Sequence, residues 1–299
     1  MEILQTIQLN SSTPARVKRQ KYRSCSKTMH WIHRQAIDCA IINPDQASLE
    51  QPGSQDKTSL LGIPELGLNA EGFSFATWNI HKEKAEGWEE DFQRICRTTD
   101  ILVLQEAFLS DDFKKILQQE DLQWDLATAY AYQKIEAGVL TASKVAPNLT
   151  CSFRDKEPIT RIPKSILITR YPISGKHREL LVANIHAINF SMGYAAFQRQ
   201  WDRLENLLAV HQGPTIMSGD FNTWNKNRMS RVNAMAKRLN LTSVAFKENL
   251  KSIFFGQYVD HIFYRGLETK NATTISVVTS DHNPLTVVFK LAEVSGHDF

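Results

Sequence analysis

Short apolar runs alternate with amphipathic segments along most of the chain, beginning at Phe73. Runs rich in β-branched and aromatic residues predict strands, and longer stretches with apolar residues spaced by three and four predict helices. The predicted strands cover residues 73–77, 101–104, 138–142, 165–169, 180–183, 215–217, 260–264, 274–279 and 285–291. The predicted helices cover residues 86–97, 110–119, 194–211 and 226–239.

Two stretches, 164–185 and 260–291, contain consecutive predicted strands without a helix between them. Parallel neighbours need a long crossover, so such strands favour mixed or antiparallel pairing. Sheets of this kind bury their faces against each other or against helices. We therefore predict an α/β fold in which two mixed or antiparallel sheets form a sandwich flanked by helices.

The first 70 residues differ in composition from the rest. A basic stretch between Arg16 and Lys27 precedes a segment rich in Pro, Gln, Ser and Gly at 43–59, and such composition does not favour an independent core. We predict a largely irregular extension over residues 1–70 with a short helix around 30–42, a folded domain over 71–292 and a tail over 293–299. The basic stretch fits a solvated tail, the commoner case for blocks of like charge, or an arm that contacts phosphates.

Overall charge and cysteine content exclude few functional classes. The net charge of +3 over 299 residues neither indicates a nucleic-acid binder nor opposes approach to phosphate. The four cysteines lie far apart without a Cys-x-x-Cys spacing, which disfavours a zinc ribbon or disulfide framework and predicts reduced thiols. No apolar run approaches the roughly 18 residues of a membrane span. We therefore expect a cytoplasmic monomer without an integral membrane segment.

Polar side chains that suit phosphate chemistry follow most of the predicted strands. In chain order they are Asn79, Glu106, Asn184, His186, Asp220, Asn222, Asp260, Asp281 and His282. We expect the strands to deliver these groups to one common rim. Carboxylate and amide oxygens bind hard divalent cations, and imidazoles can assist phosphoryl transfer beside them. Glu106 with Asn79 suits magnesium, which takes one or two carboxylates and keeps waters that a phosphate can replace.

Asp220 and Asn222 stand two residues apart after Gly219, where a glycine lets the backbone turn sharply. In extended chain, residues two apart face the same side, so one site can receive both. Asp220 is suited to orient or deprotonate the attacking water, and Asn222 to donate a hydrogen bond to a phosphoryl oxygen. A plain Asx turn between strand and helix is the alternative.

These motifs, in this order and at these separations, resemble those of the endonuclease/exonuclease/phosphatase superfamily over residues 72–291. The stretches at 182–191, 217–222 and 263–267 resemble its bacterial YafD-like branch most closely. The resemblance implies a DNase I-like, four-layered α/β sandwich. It also implies a hydrolase of phosphoric esters that depends on Mg²⁺, with Mn²⁺ as the alternative ion.

The resemblance assigns roles to single residues on the metal side. Glu106 corresponds to the principal metal ligand, and Asn79 to its companion. Asp281 would lie beside the metal.

The same resemblance implies that His282 is the acid/base or charge-stabilising imidazole, oriented by Asp260, and that His186 hydrogen-bonds the phosphate. Asn184 is a further candidate for substrate binding, although its side chain could simply brace the rim. His261 departs from the family pattern, in which arginine or tyrosine is common near this acid. Strand alternation points His261 away from Asp260, so we interpret it as structural.

The substrate is predicted from the helix that follows Asn222. Trp224 could stack on a base, and Arg228 and Arg231 could face a polyanion, or the helix could be merely solvated. We predict phosphodiester hydrolysis in nucleic acid. The alternatives are a phospholipid or inositol phosphate as substrate, and a non-catalytic scaffold. A lipid-acting enzyme should expose an apolar hairpin, and we expect the candidate run at 253–258 to be buried.

Overall fold

The structure is a computed structural model and describes residues 38–41, 67–191 and 193–293. The first strands are β1 (Asp38–Ile41), β2 (Phe73–Asn79), β3 (Ile101–Phe108), β4 (Gln123–Tyr132), β5 (Ile135–Ser143), β6 (Leu149–Lys156), β7 (Pro163–Pro172) and β8 (Glu179–His186). The others are β9 (Thr215–Asp220), β10 (Thr242–Ser243), β11 (Ile253–Phe254), β12 (Gln257–Tyr258), β13 (Asp260–Arg265), β14 (Leu267–Thr274) and β15 (Leu285–Leu291). The α-helices are α1 (Trp88–Cys96), α2 (Asp111–Gln119), α3 (Ala195–Ala209) and α4 (Lys226–Arg238).

The described strands form two large sheets and one small hairpin. The seven-stranded sheet has the order β1-β6-β7-β8-β9-β13-β10, and the six-stranded sheet has the order β14-β15-β2-β3-β5-β4. Each large sheet contains one parallel pair, β8 with β9 and β2 with β3, and its other pairs are antiparallel. The prediction of two mixed sheets is therefore confirmed. Strands β11 and β12 pair only with each other among the described strands.

Three apolar clusters separate the layers. Phe75 and Val103 pack with Val182 and Ile216 between the two sheets. The other face of the seven-stranded sheet packs against α3 and α4, and the other face of the six-stranded sheet packs against α1 and α2. Both faces of the central strands are buried, which explains why their sequences are continuous apolar runs. The predicted four-layered sandwich is confirmed.

The prediction was wrong or incomplete for strands at the sheet edges. Strand β14 covers Leu267–Thr274, so the strand predicted at 274–279 lies too far along the chain. Residues 268–271 of β14 are charged or polar and exposed, so the sequence contains no apolar run that indicates this edge strand. Strands β4 and β6 were missed for a related reason, because many of their residues are only half-buried.

Strand β1 corrects two expectations. Residues Asp38–Ile41, which were predicted as part of a helix around 30–42, form a strand that pairs antiparallel with β6. The rest of that helix, most of the 1–70 extension and residues 294–299 lie outside the described residues. Cys151, opposite Cys39 in this pairing, is disulfide-bonded. The expectation of reduced thiols is therefore wrong for Cys151, and it no longer supports a cytoplasmic location.

The topology brings several chain segments to one edge of the sandwich, which we call the site edge. The parallel strands β2, β3, β8 and β9 all end there, and the antiparallel strands β7, β13 and β15 begin there. Loops between these strands therefore surround a single region. Among the described helices, none is long and apolar enough to cross a bilayer.

Candidate active site

Three neighbouring strands of the seven-stranded sheet carry a row of ionisable side chains at the site edge. His186 at the end of β8 lies opposite Asp220 of β9, and Asp220 lies opposite Asp260 of β13. On the facing sheet, β2 ends at Asn79 and its parallel neighbour β3 carries Glu106. The Asn79 amide donates to Asp220 Oδ2 at 3.2 Å, which joins the two sheets. The strand-end motifs therefore converge.

His282 is held against a carboxylate. Its Nδ1 lies 2.8 Å from Asp260 Oδ2, and both side chains are buried. Burial lowers the pKa of His282, but the charge and hydrogen bond of Asp260 outweigh burial and raise it to about 10. The loop is fixed by Trp78 Nε1, which donates to the His282 carbonyl at 2.9 Å, and by the His282 amide, which donates to Ser280 Oγ at 3.1 Å. The imidazole is therefore protonated at neutral pH and held in place.

Asp220 sits at a tight strand end. At Gly219, φ is 136° and an added Cβ would lie 2.1 Å from the Ile185 carbonyl oxygen, so no side chain fits there. Burial, the largest influence, raises the pKa of Asp220. Its Oδ1 accepts the backbone N–H of Asn222 at 2.9 Å, which is an Asx turn. The Asn222 amide donates to the Ala187 carbonyl at 3.0 Å and lies 3.4 Å from Asp220 Oδ2. The Asx turn is therefore present, and it also brings the side chains of Asp220 and Asn222 to one site.

His186 faces a lysine. Lys164 Nζ lies 2.8 Å from His186 Nε2 and 3.8 Å from Glu106 Oε1. An ammonium group has no acceptor, so this contact requires an unprotonated Nε2. Burial, followed by the Lys164 charge, lowers the pKa of His186 to about 4. His186 is therefore neutral, and its Nε2 lone pair is engaged by Lys164.

Glu106 lies in a strained and positively charged setting. Its φ is 54°, at an irregularity of the β3–β5 pairing, and Lys82, with φ of 61°, contacts its Oε2 through an ammonium group. Non-glycine residues in this backbone region store strain, which is common at functional sites. Burial raises the pKa of Glu106, but His186, Lys164 and Lys82 outweigh burial and lower it to about 2. The carboxylate is therefore ionised.

The donor set fits a hard cation such as magnesium. Glu106 supplies a partly accessible carboxylate, and Asn79 Oδ1, which accepts the His81 N–H at 3.1 Å, supplies an amide oxygen on the neighbouring strand. The Lys82 ammonium on Glu106 is itself a cation at this position. No cluster of three or more His, Cys, Asp or Glu side chains with metal-binding geometry occurs in residues 67–191 and 193–293. A site of one carboxylate, one amide and waters matches magnesium and does not match structural zinc.

Two other candidates lie elsewhere in this framework. Asp281 is half-exposed and lies 3.4 Å from His81 Nδ1, beside the loop that carries Lys82. Asn184 is fully buried, and its Nδ2 donates to the carbonyls of Leu104 at 3.1 Å and Leu140 at 2.9 Å. Asn184 therefore braces the two sheets, the alternative that the sequence left open, and does not reach the solvent side of the site.

The structure does not bring the predicted substrate cations to the site surface. Arg228 is 2% exposed, and its guanidinium donates to the carbonyls of Ile188, Asn189 and Asn222 at 2.7–2.9 Å. Arg231 donates to Asp202 at 2.6 Å and to Glu205 at 2.8 Å on α3. Trp224 lies at the site edge, where its Nε1 donates to Asn189 Oδ1 at 2.9 Å. Both arginines are therefore engaged within the protein, which removes the reason for expecting a polyanion on this helix.

The expectation that the run at 253–258 is buried is wrong. Strands β11 and β12 form a hairpin at the site edge, in which Ile253 is 60% exposed and Phe255 is 88% exposed. Phe254 stacks on the His282 ring, with centroids 5.2 Å apart. The Phe255 ring contacts the edge of Trp224 at 5.9 Å. The hairpin therefore forms a wall of the site.

His261 occupies the position that strand alternation predicts. It is buried behind the site, with Nε2 2.8 Å from Thr223 Oγ1, and burial lowers its pKa to about 3. Lys82 and Lys164 were missed from the sequence. Lys164 lies in β7, two residues before the apolar run that begins at Ile166 and pairs with β8, and this position could have indicated it. The motif that ends at Ile80 gives no indication of Lys82.

Comparisons with known proteins place the chain in a family. The family model described as Endonuclease/Exonuclease/phosphatase family matches residues 76–282. A UPF0294 protein of Photorhabdus laumondii is 37% identical over 212 residues, which cover 71% of this chain and 81% of that protein.

Solved structures show the same fold. The human Nocturnin catalytic domain with bound sulfate aligns with a TM-score of 0.56 and 18% identity, covering 76% of this chain and 97% of that one. A family protein from Leptotrichia buccalis aligns with a TM-score of 0.54 and 16% identity, covering 74% of this chain and 100% of that one. The motif order, the four-layered sandwich and the family match agree, and the chain belongs to the endonuclease/exonuclease/phosphatase family.

Proposed function

We propose that this protein hydrolyses a phosphate ester with the help of a divalent cation, Mg²⁺ being the ion that the donor set suits best. The observation that carries the proposal is the buried His282–Asp260 pair in one row with Asp220, facing Glu106 across the sandwich. A protonated imidazole, a carboxylate of raised pKa and an ionised carboxylate meet at one edge. Perturbed groups that converge in this way are typical of catalytic sites. Members of this family are generally phosphoesterases that use divalent metals.

Glu106 and Asn79 would hold the cation, which when bound polarises the phosphoryl group and neutralises charge. Asp220, whose pKa is raised by burial, is suited to take a proton from water as the water oxygen bonds to phosphorus. His282 is suited to give its proton to the leaving ester oxygen as the phosphorus–oxygen bond breaks. The proton on Asp220 then replaces the one that His282 gave up. Water adds across one ester bond, and the residues return to their starting states.

The remaining cations would bind the phosphate. Lys164 and Lys82 bring two ammonium groups to the mouth of the site, and both contact Glu106 or its neighbours before a substrate arrives. His186, with Nε2 engaged by Lys164, serves to position that lysine, and this replaces the direct phosphate contact expected from the sequence. Asn222 has one amide hydrogen on the Ala187 carbonyl and a second directed at Asp220 Oδ2 from 3.4 Å, which a phosphoryl oxygen bound beside Asp220 could accept. Oriented donors of this kind stabilise developing charge.

Nucleic acid stays a prediction for the substrate, a phospholipid or an inositol phosphate stays the alternative, and a non-catalytic scaffold stays the rival. Conversion of the site into a scaffold would be expected to release at least one of its constrained groups. Here the strained backbone of Glu106 and the buried His282–Asp260 pair are both retained, at a cost in stability. This retention favours an enzyme.

The test is hydrolysis of a soluble activated ester, bis(p-nitrophenyl) phosphate, by the full chain with magnesium. Glu106→Gln should reduce kcat/KM by about 100-fold or more, and excess chelator should reproduce the loss. Glu268→Gln is the matched control, because Glu268 is an exposed glutamate paired with Lys290 on β15. Wild-type activity in chelator, or wild-type activity of Glu106→Gln, would refute the metal role of this carboxylate.

A further inference from the structure

Exposed large apolar side chains are concentrated at the site edge. Ten are exposed in the described part of the chain, namely Tyr132, Ile159, Ile162, Phe190, Val210, Leu250, Ile253, Phe255, Tyr258 and Val278. Nine of these ten belong to the site-edge loops or to the strand ends that adjoin them, and Val210, at the end of α3, lies at the opposite edge. Scattered exposed apolar residues are ordinary, but their concentration around one site indicates a surface that meets an apolar partner.

Five of these side chains, Ile159, Ile162, Phe190, Ile253 and Phe255, form what we call the apolar rim. Direct contacts connect the loops that carry them. The Phe255 ring contacts Trp224, whose Nε1 donates to Asn189 Oδ1 beside Phe190. The backbone N–H groups of Asn189 and Phe190 donate to Glu157 Oε1 at 2.8 and 3.3 Å. Glu157 also accepts from Thr160 at 2.6 Å, within the loop that holds Ile159 and Ile162.

Buried charges hold the two loops that carry Ile159, Ile162 and Phe190 in position. Glu157 is 2% exposed and fixes both the 157–162 loop and the start of the 189–191 loop. Arg228, also 2% exposed, donates to the Asn189 carbonyl and to Ser191 Oγ from the other side. Exposed apolar side chains on loops with this much internal bonding are presented in a fixed arrangement, which reduces the entropy cost of docking.

Three observations favour a lipid surface as the partner. Three of the five rim residues are isoleucines, which lack the flat rings that stack on nucleic-acid bases. Lys156 and Arg161 are exposed beside Ile159 and Ile162, which adds attraction to an anionic headgroup layer. The rim also borders the reacting groups, since Phe254 stacks on His282. A protein covering this edge would block the site, whereas a lipid surface would deliver phosphate esters to it.

We propose that the apolar rim docks this protein on an anionic phospholipid surface and that the site hydrolyses a phosphate ester of an amphiphile held in that surface. The second part rests on the proposed phosphoesterase activity, and the first part does not. Docking would place the site edge against the headgroup layer, where water supplies the attacking oxygen and the lipid-borne alcohol is the leaving group. Ile253 and Phe255 would enter the boundary between headgroups and acyl chains.

The docking test is sedimentation of the full chain with vesicles of phosphatidylcholine, with and without phosphatidylglycerol, in chelator so that no turnover occurs. The double variant Ile253→Ser/Phe255→Ser should bind about tenfold more weakly or worse, because two apolar side chains lose their burial in lipid. Ile159→Ser/Ile162→Ser should also bind more weakly. Val210→Ser is the matched control, because Val210 is 76% exposed at the opposite edge, and it should bind like the wild type. Circular dichroism melting should show that all variants are folded.

Two results would overturn docking by the rim. One is the absence of vesicle binding by the wild type. The other is equal binding by Ile253→Ser/Phe255→Ser and Val210→Ser, which would show that any vesicle binding uses a surface other than the rim. A separate outcome concerns the identity of the partner. If Ile253→Ser/Phe255→Ser binds a single-stranded oligonucleotide more weakly than the wild type but binds vesicles equally well, the partner of the rim is nucleic acid and not lipid. Lys156→Gln/Arg161→Gln should reduce the preference for phosphatidylglycerol, and an unchanged preference would contradict the role given to these two cations.

Hydrolysis is measured separately, with vesicle phospholipids and with bis(p-nitrophenyl) phosphate. The Ile159→Ser/Ile162→Ser variant, whose residues lie outside the hairpin that walls the site, should lose vesicle hydrolysis about tenfold and keep the rate on the soluble ester. Vesicle binding without hydrolysis of either ester would refute the proposed function and leave docking intact. Hydrolysis of the soluble ester without vesicle binding would refute docking and leave the function intact.

Discussion

The His282–Asp260 pair allows a prediction with a definite magnitude. A tenfold change in an equilibrium is worth about 1.4 kcal/mol. Holding the pKa of His282 at about 10 rather than 6.5, against the opposing effect of burial, therefore favours the imidazolium by about 5 kcal/mol, and Asp260 is the first of the charges that raise it. Asp260→Asn keeps an oxygen that can accept from Nδ1 but removes the charge, so the pKa of His282 should fall well below 10, with the Asp220 and Asp281 charges left to oppose burial. The variant should therefore hold more neutral imidazole than the wild type at neutral and alkaline pH.

The assay combines a histidine NMR titration with steady-state kinetics on the soluble ester. Asp260→Asn should reduce kcat by about 10²–10⁴-fold, the range of a positioned acid or base, and His282→Asn should cost a similar factor. The double variant should be little worse than either single one, because the two groups act as a unit. His282→Asn also serves to assign the NMR resonance. A His282 pKa still near 10 in Asp260→Asn, or losses that multiply in the double variant, would refute the coupling.

Two further predictions concern lysine chemistry and pH. Lys164→Met should raise KM for the anionic ester about tenfold, because it removes the ammonium group 2.8 Å from His186 Nε2. Lys144→Met, which removes an exposed lysine 3.5 Å from Asp100, is the control and should leave the steady-state kinetics unchanged. Equal kinetics for the two variants would refute a phosphate contact by Lys164. The free energy of unfolding, measured by urea denaturation, should decrease as pH rises from about 6.5 to about 10, because folded His282 keeps a proton that the unfolded chain releases. It should also decrease as pH falls from about 6.5 to about 4, because unfolded His186 binds a proton that the folded state excludes. His282→Asn should flatten the alkaline side of this curve, and an unchanged alkaline slope would contradict the assignment.

The central layers of the fold could be predicted from the sequence because their strands are buried on both faces. Strands β3, β8 and β9 therefore appear as apolar runs, each followed by a polar motif. Strand β14 could not be placed correctly, because its outer residues are charged and its stability comes from pairing with β15. Edge strands depend on a neighbour that a local pattern does not describe.

Residue types at the candidate site could be predicted better than their electrostatic state. The convergence of Asp220, Asp260 and His282 followed from motifs at strand ends. The neutral state of His186 depends on its burial and then on Lys164, which comes from a different strand 22 residues away, so no local motif indicates it. The opposite error occurred for Arg228, since a basic residue after a catalytic loop resembles a phosphate contact until its carbonyl partners are known.

The exposure of the β11–β12 hairpin could not be predicted for a different physical reason. A run of large apolar residues is ordinarily buried, and hydrophobicity alone does not distinguish a core segment from one that meets an external apolar phase. The distinction depends on the surrounding structure. Here the hairpin pairs only with itself among the described strands, so Ile253 and Phe255 have no second layer to cover them.

Because the proposed reacting groups are divided between two sheets, the distance between the two halves of the candidate site is a property of the whole sandwich. Glu106 belongs to one sheet, and Asp220 to the other, so a slip of about 1 Å between the sheets would change their separation directly. Asn184 opposes such a slip, because its amide crosses the layer to the Leu104 and Leu140 carbonyls. Substitutions in this buried layer, far from any substrate, should therefore reduce the proposed activity by changing this separation while the protein stays folded. Packing between the two sheets therefore sets the distance between the two halves of the candidate site.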